Sequence, residues 1–164
     1  AGFRSCEQNV ESGRGYVQRI CATHSYEQRI ETVKAAKAAG LRVCCGGLFG
    51  LGESFAQRCE LAMQLSELEV DSIPVNFLIP IKGTPLEKQK IIPAEEALRT
   101  IAILRLFNSD KDLVVCGGRL DALKSLKNMI FSAGANGVML GDYLTRRGGA
   151  VSEDVQEMSI LGIM

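Results

Sequence analysis

Val43-Cys-Cys-Gly-Gly-Leu-Phe-Gly-Leu-Gly-Glu53 and Ile73-Pro-Val-Asn-Phe-Leu-Ile-Pro-Ile-Lys-Gly-Thr-Pro-Leu-Glu87 decide how this chain reads. The first stretch puts adjacent thiols at the end of an apolar run, then four glycines within seven residues, 46 to 52. The second puts a lone amide, Asn76, in an apolar run that leads to a Gly-Thr-Pro turn. A core strand requires neither a glycine cluster nor an unpaired amide, since a buried amide is costly without partners. Both stretches read as strand ends that meet a ligand.

Working outward, short β-like runs alternate with longer helical patterns. Strands are expected over 2–10, 41–48, 72–79, 113–116 and 137–141. Helices are expected from Ser25, which opens a capping box and runs to a stop at Gly40, and over 54–68. Pro93 suits a first helical position, with 94–108 following at spacings of three and four. Further helices are expected over 120–133 and 152–161. Such alternation implies parallel strands joined by right-handed crossovers. An open doubly wound sheet or part of a (βα)8 barrel satisfies the pattern. The unusual residues Asn9, Cys44, Asn76 and Cys116 with Arg119 all fall at the C-terminal ends of successive strands. Barrel sites are built there, whereas a doubly wound sheet gathers its ligand groups at one switch point. The expected fold is therefore α/β: the second half of a (βα)8 barrel, roughly five parallel strands with outer helices.

Composition excludes several classes. The 164 residues are 46% hydrophobic and 23% charged, which is a globular composition. Nineteen basic residues balance nineteen acidic ones, so no nucleic-acid footprint is present. No apolar run approaches a membrane span. The opening Ala1-Gly-Phe-Arg-Ser-Cys reads as a start in mid-structure, which points to a fragment. Six cysteines, at 6, 21, 44, 45, 59 and 116, show no C-x-x-C spacing, which argues against a zinc ribbon. Cys21 and Cys59 read as small buried hydrophobes. Cys44 and Cys116 differ, because each ends an apolar run beside glycines. His24 and the 124–127 lysines read as solvated.

The runs Asn9-Val-Glu-Ser, Ser25-Tyr-Glu-Gln-Arg, 43–53, 74–86, Gly117-Gly-Arg and Ala133-Gly-Ala-Asn-Gly together resemble the biotin synthase family, in order and at nearly its spacing. The resemblance runs along essentially the whole chain. It implies a radical S-adenosylmethionine (SAM) enzyme that inserts sulfur into dethiobiotin. The family's 4Fe–4S cluster sits on an N-terminal C-x3-C-x2-C motif, which is missing among these cysteines. Residues 1–164 are thus expected to be a single partial domain, from about the fourth barrel strand onward, inactive alone.

By resemblance, Cys44 is a ligand of the auxiliary 2Fe–2S cluster, and Arg119 is that cluster's arginine ligand. Cys116 is an alternative ligand, favoured by thiolate softness. Asn9 and Asn76 are implied to bind the ureido ring of dethiobiotin, since a carboxamide offers both donors and an acceptor. Glu11 stands where the family has an Asp on the SAM ribose, and Arg29 matches a SAM-contacting arginine. Cys6-Glu-Gln-Asn9 replaces the family's Tyr-Asn-His-Asn. Cys45, next to Cys44, is expected on the opposite strand face. The resemblance also implies a cytoplasmic homodimer when full length. A hydrogenase-cofactor maturase, a methylornithine synthase or an inactive half-barrel are the alternatives.

Overall fold

The structure is a computed structural model, and it describes residues 2–143, 148–160 and 162. In chain order the elements are β1 (Ser5–Glu7), α1 (Arg14–Ile20), α2 (Tyr26–Ala38), β2 (Arg42–Cys44) and β3 (Gly47–Phe49). There follow α3 (Phe55–Glu67), β4 (Ser72–Phe77), α4 (Ala94–Phe107), β5 (Asp112–Val115), α5 (Arg119–Leu123), α6 (Met129–Ser132), β6 (Gly137–Val138) and α7 (Val151–Ile160). The sheet order is β1-β2-β4-β5-β6, with β3 beside β4, and every pairing is parallel. This is the order of successive strands in a (βα)8 barrel.

Two helix starts follow from local sequence. The Ser25 hydroxyl accepts from the Gln28 amide at 3.1 Å, while the Gln28 side chain accepts from the Ser25 amide at 2.9 Å. Ser54 and Gln57 repeat that reciprocal box. Both boxes satisfy amides that a helix start leaves without partners. Pro93 is the N-cap of α4, one position before the helix it was expected to begin.

The elements differ from expectation in five places. The first strand is confined to Ser5–Glu7 and the last to Gly137–Val138. The 41–48 run divides into β2 and β3, giving six strands. Gly46 lies at the break, where a Cβ would sit 2.1 Å from the Pro74 carbonyl oxygen, so the chain passes too close to β4 for a side chain. A helix over 14–20, not expected, packs through buried Tyr16 and Val17. The expected 120–133 helix is broken at Lys124, whose φ is 50°. The end of the expected 152–161 helix at Leu161 lies outside the described residues.

The sheet's two faces have different chemistry. Val43, Cys45, Ile73, Val75, Phe77, Leu113 and Val115 are buried in the core cluster beneath the helices. The other face carries Glu7, Cys44, Ser72 and Asp112 as one register-aligned row. Alternation along each strand places Asn9, Asn76 and Cys116 on that second, open face.

Candidate functional site at the strand ends

Two hydrogen-bonded rings shape the C-terminal edge of the sheet. In the first, Asn9 Oδ1 accepts from the Gly46 amide at 2.9 Å, and the Val10 amide donates to the Gly46 carbonyl at 3.1 Å. In the second, Asn76 Oδ1 accepts from the Gly117 amide at 3.0 Å, and the Phe77 amide donates to the Gly117 carbonyl at 2.8 Å. Each asparagine thus uses its carbonyl oxygen to clamp the first glycine after a cysteine on a neighbouring strand. The amide donors fix which end of each carboxamide is the oxygen. The –NH2 ends remain for other work, apart from a 3.5 Å contact of Asn76 Nδ2 with the Gly47 carbonyl.

The first ring has a charged surround. Arg29 Nη1 donates to the Asn9 backbone carbonyl at 2.9 Å and lies 4.0 Å from Glu11. Its Nη2 donates to Cys21 Sγ at 3.5 Å. That bond, with others from Thr23 and His24, lowers the Cys21 thiol to about 6. Cys21, expected as a small buried hydrophobe, is only partly buried against the core and is also a partner of Arg29. Glu11 holds a φ of 77°, a strained backbone for a residue with a side chain, and burial raises its carboxyl despite the nearby Arg29. Asn9, Glu11 and Arg29 therefore form one cluster.

The cysteines separate by face, as the alternation rule requires. Cys45 is fully buried on the helix side, and burial pushes its thiol up to about 12. Cys44 is half-buried, raised by desolvation although the Ser72 hydroxyl bonds it, and raised further by Glu7. Cys116 is pushed up to about 11 by burial, then by Cys44 and by Glu7. Cys44 and Cys116 thus share the open face, and Cys44 adds to the disfavouring of the Cys116 thiolate. Two thiols beside the Glu7 carboxylate, kept protonated mainly by burial, suit a soft metal cation, which would displace their protons and hold them as thiolates. Among the described residues no three His, Cys, Asp or Glu side chains converge as a complete metal cradle. Cys59, expected in the core, is half-buried on α3.

Arg119 is held by the last helix, α7. Its Nη2 donates to Asp154 Oδ2 at 2.7 Å, and its buried Nε has no partner. No local signal in the sequence marked Asp154. The glycine loop at 50–52 is also occupied from within. The Gly50 and Gly52 amides donate to the Glu53 carboxylate at 3.0 and 3.1 Å, and Arg58 Nε donates to it at 2.8 Å. That loop already cradles an anion from its own chain.

Residues 74–164 match the Biotin and Thiamin Synthesis associated domain family. Over 163 residues the chain is 48% identical to a biotin synthase of Nitratidesulfovibrio vulgaris, covering 99% of this chain and 45% of that protein. It is 52% identical to a biotin synthase of Geobacter metallireducens over 156 residues, covering 95% and 47% respectively. The chain spans about half the length of the curated relatives it matches. Among solved structures, methylornithine synthase superposes with a TM-score of 0.75 at 23% identity, over 98% of this chain and 52% of that one. Hydroxymethylglutaryl-CoA lyase from Pseudomonas aeruginosa superposes with a TM-score of 0.59 at 15% identity, over 96% and 55%. At those identities the likeness is one of fold.

Proposed function

As the chain belongs to the Biotin and Thiamin Synthesis associated domain family, we propose that it forms the C-terminal half of a biotin synthase, residues 1–164 being one partial domain. The observation that carries this reading is identity near 50% along the whole chain, combined with Asn9, Asn76 and Cys44 on one open sheet face. The methylornithine synthase likeness supports the fold and no particular substrate.

The substrate in this reading is dethiobiotin. Asn9 and Asn76 hold their oxygens against backbone amides and present –NH2 donors, which suit the carbonyl of a cyclic urea. Because the oxygens are tied down, the donors are fixed in direction before substrate arrives, which lowers the entropy lost on binding. Arg29 is the counter-charge for the SAM carboxylate, and Glu11 takes the ribose hydroxyls. In the whole enzyme a 4Fe–4S cluster with SAM supplies the radical, and an auxiliary 2Fe–2S cluster supplies the sulfur. Cys44 is a ligand of the auxiliary cluster, with Arg119 or Cys116 completing this chain's share. Alone, the chain is inactive, because the N-terminal cysteine motif is missing from its sequence. The whole protein is a cytoplasmic homodimer in this reading. Among the described residues no helix is long and apolar enough to cross a membrane.

The test is Cys44→Ala in the full-length gene product. Loss of a thiolate removes a covalent iron bond. Iron and sulfide per chain are expected to fall by the auxiliary cluster's share, while the SAM-cleaving cluster remains. Unchanged iron and sulfide content would refute the assignment.

A further inference from the structure

A buried ion pair joins the last helix to the cysteine end of β5. Arg119 opens α5 directly after Gly118, and its partner Asp154 lies in α7. Both side chains are only 4% exposed, and the contact is 2.7 Å. Asp154 grips one edge of the guanidinium, through Nη2, while Nε stays buried with no acceptor. The Tyr143 hydroxyl lies against the same guanidinium and donates to the Cys116 carbonyl at 3.1 Å. Gly149 makes room for the carboxylate, since a Cβ there would sit 3.2 Å from Asp154 Oδ2. A continuous path therefore runs from α7 through Asp154, Arg119 and Tyr143 to Cys116.

Stability alone is a poor reason for this arrangement. A buried ion pair seldom improves on apolar side chains of the same size, and an orphaned buried donor adds a cost. Such a pair does give a directed guanidinium.

We propose that Asp154 is a positioning residue: it sets the direction of the Arg119 guanidinium beside the Cys116 end of β5, and α7 is the rigid arm that carries it. The inference rests on the reading of Cys44 and Arg119 as auxiliary-cluster ligands.

The experiment uses the full-length gene product with both clusters assembled. Asp154→Glu keeps the charge but displaces the guanidinium by one methylene. Lys127→Met is the control, because it breaks another α7 contact, the 2.9 Å Lys127–Glu157 pair, without touching Arg119. The readouts are auxiliary-cluster absorption and the rate of iron loss to a chelator, compared at equal folded fraction. Asp154→Glu is expected to change the absorption and to weaken iron retention about 10–100-fold, the scale seen when a residue orienting a metal ligand is altered. Lys127→Met is expected to match wild type. Wild-type spectra and iron retention in Asp154→Glu overturn the proposal, and so do equal changes in both variants. Failure of Asp154→Glu to fold while Lys127→Met folds also overturns it, leaving a purely structural pair. If Cys44→Ala retains the auxiliary iron, the functional reading fails instead. If Cys44→Ala loses that iron and Asp154→Glu does not differ from wild type, only this proposal fails.

Discussion

The two asparagine rings use one hydrogen-bond pattern in two registers. Glu7 pairs with Cys44, which sets Asn9 opposite Gly46, the glycine it clamps. Ile73 pairs with Leu113, which sets Asn76 opposite Cys116, one residue before the glycine it clamps. That single-residue offset flips the cysteine before the glycine. Cys45 falls on the helix side of the first ring, and Cys116 on the open side of the second. The first ring brings Cys44 to the open face instead. The same clamp thereby delivers one open-face thiol from each of two strands. A repeated backbone device need not repeat its side-chain chemistry when the register shifts.

The glycines test this comparison most severely. Gly118, second of its pair, has a φ of 76°, and a Cβ there would lie 2.0 Å from the Phe77 carbonyl oxygen. Gly46 meets a similar obstacle at 2.1 Å from the Pro74 carbonyl oxygen, but its φ is not in the left-handed region. Gly118→Ala adds left-handed strain to overpacking and is expected to cost about 2–5 kcal/mol. Gly46→Ala carries overpacking alone, about 1–3 kcal/mol. Denaturation midpoints of the two full-length variants check the order. Equal losses would mean that steric overlap outweighs backbone strain at Gly118.

Much of this architecture was legible in the sequence, and the reasons are local. Ser25 with Gln28 announced a helix start because both partners lie within four residues. Asn76 stood out because an amide in an apolar run must find a partner. Its partner, the Gly117 amide, lies 41 residues away and leaves no local mark. The 14–20 helix was hidden by Gly13 and Gly15, and it is fixed by tertiary contacts such as the Tyr16 hydroxyl on the Leu51 carbonyl at 2.7 Å. No glycine or proline marks the break at Lys124. The Arg119–Asp154 pair was illegible for the same reason as the clamps, because it joins residues brought together only by the fold.

A smaller effect separates clamping from binding within each ring. Asn9→Ala or Asn76→Ala strands a glycine amide, at a cost of about 1–3 kcal/mol in stability. Asn→Asp keeps an oxygen for that amide and removes the –NH2 donors. Asn76→Asp is therefore expected to melt near wild type while binding dethiobiotin more weakly, with iron content unchanged. A large loss of stability in Asn76→Asp would mean that the –NH2 group is needed by the fold. Wild-type affinity in a well-folded Asn76→Asp would remove Asn76 from the substrate site. Both measurements on Asn9→Asp show whether the two rings are equivalent toward the ligand.

The smallest expected effect lies in the charged surround of the first ring, where Arg29 bonds both the Asn9 carbonyl and Cys21. Arg29 is the largest cause that holds the Cys21 thiol near 6, below its usual value. A depressed thiol binds its proton less tightly in the folded state than in the unfolded one. Its stabilisation is therefore present above the unfolded value of about 8.5 and is lost as pH falls through 6. The thiolate fraction of Cys21, followed by its ultraviolet absorbance or by alkylation against pH, should show a midpoint near 6. Arg29→Gln should move that midpoint upward. The alkylation rate at neutral pH should change far less, because a thiolate of low pKa is more abundant but less nucleophilic, and the two trends largely cancel. A midpoint unmoved in Arg29→Gln would assign the shift to the Thr23 and His24 bonds. The first ring would then lose its electrostatic distinction from the second.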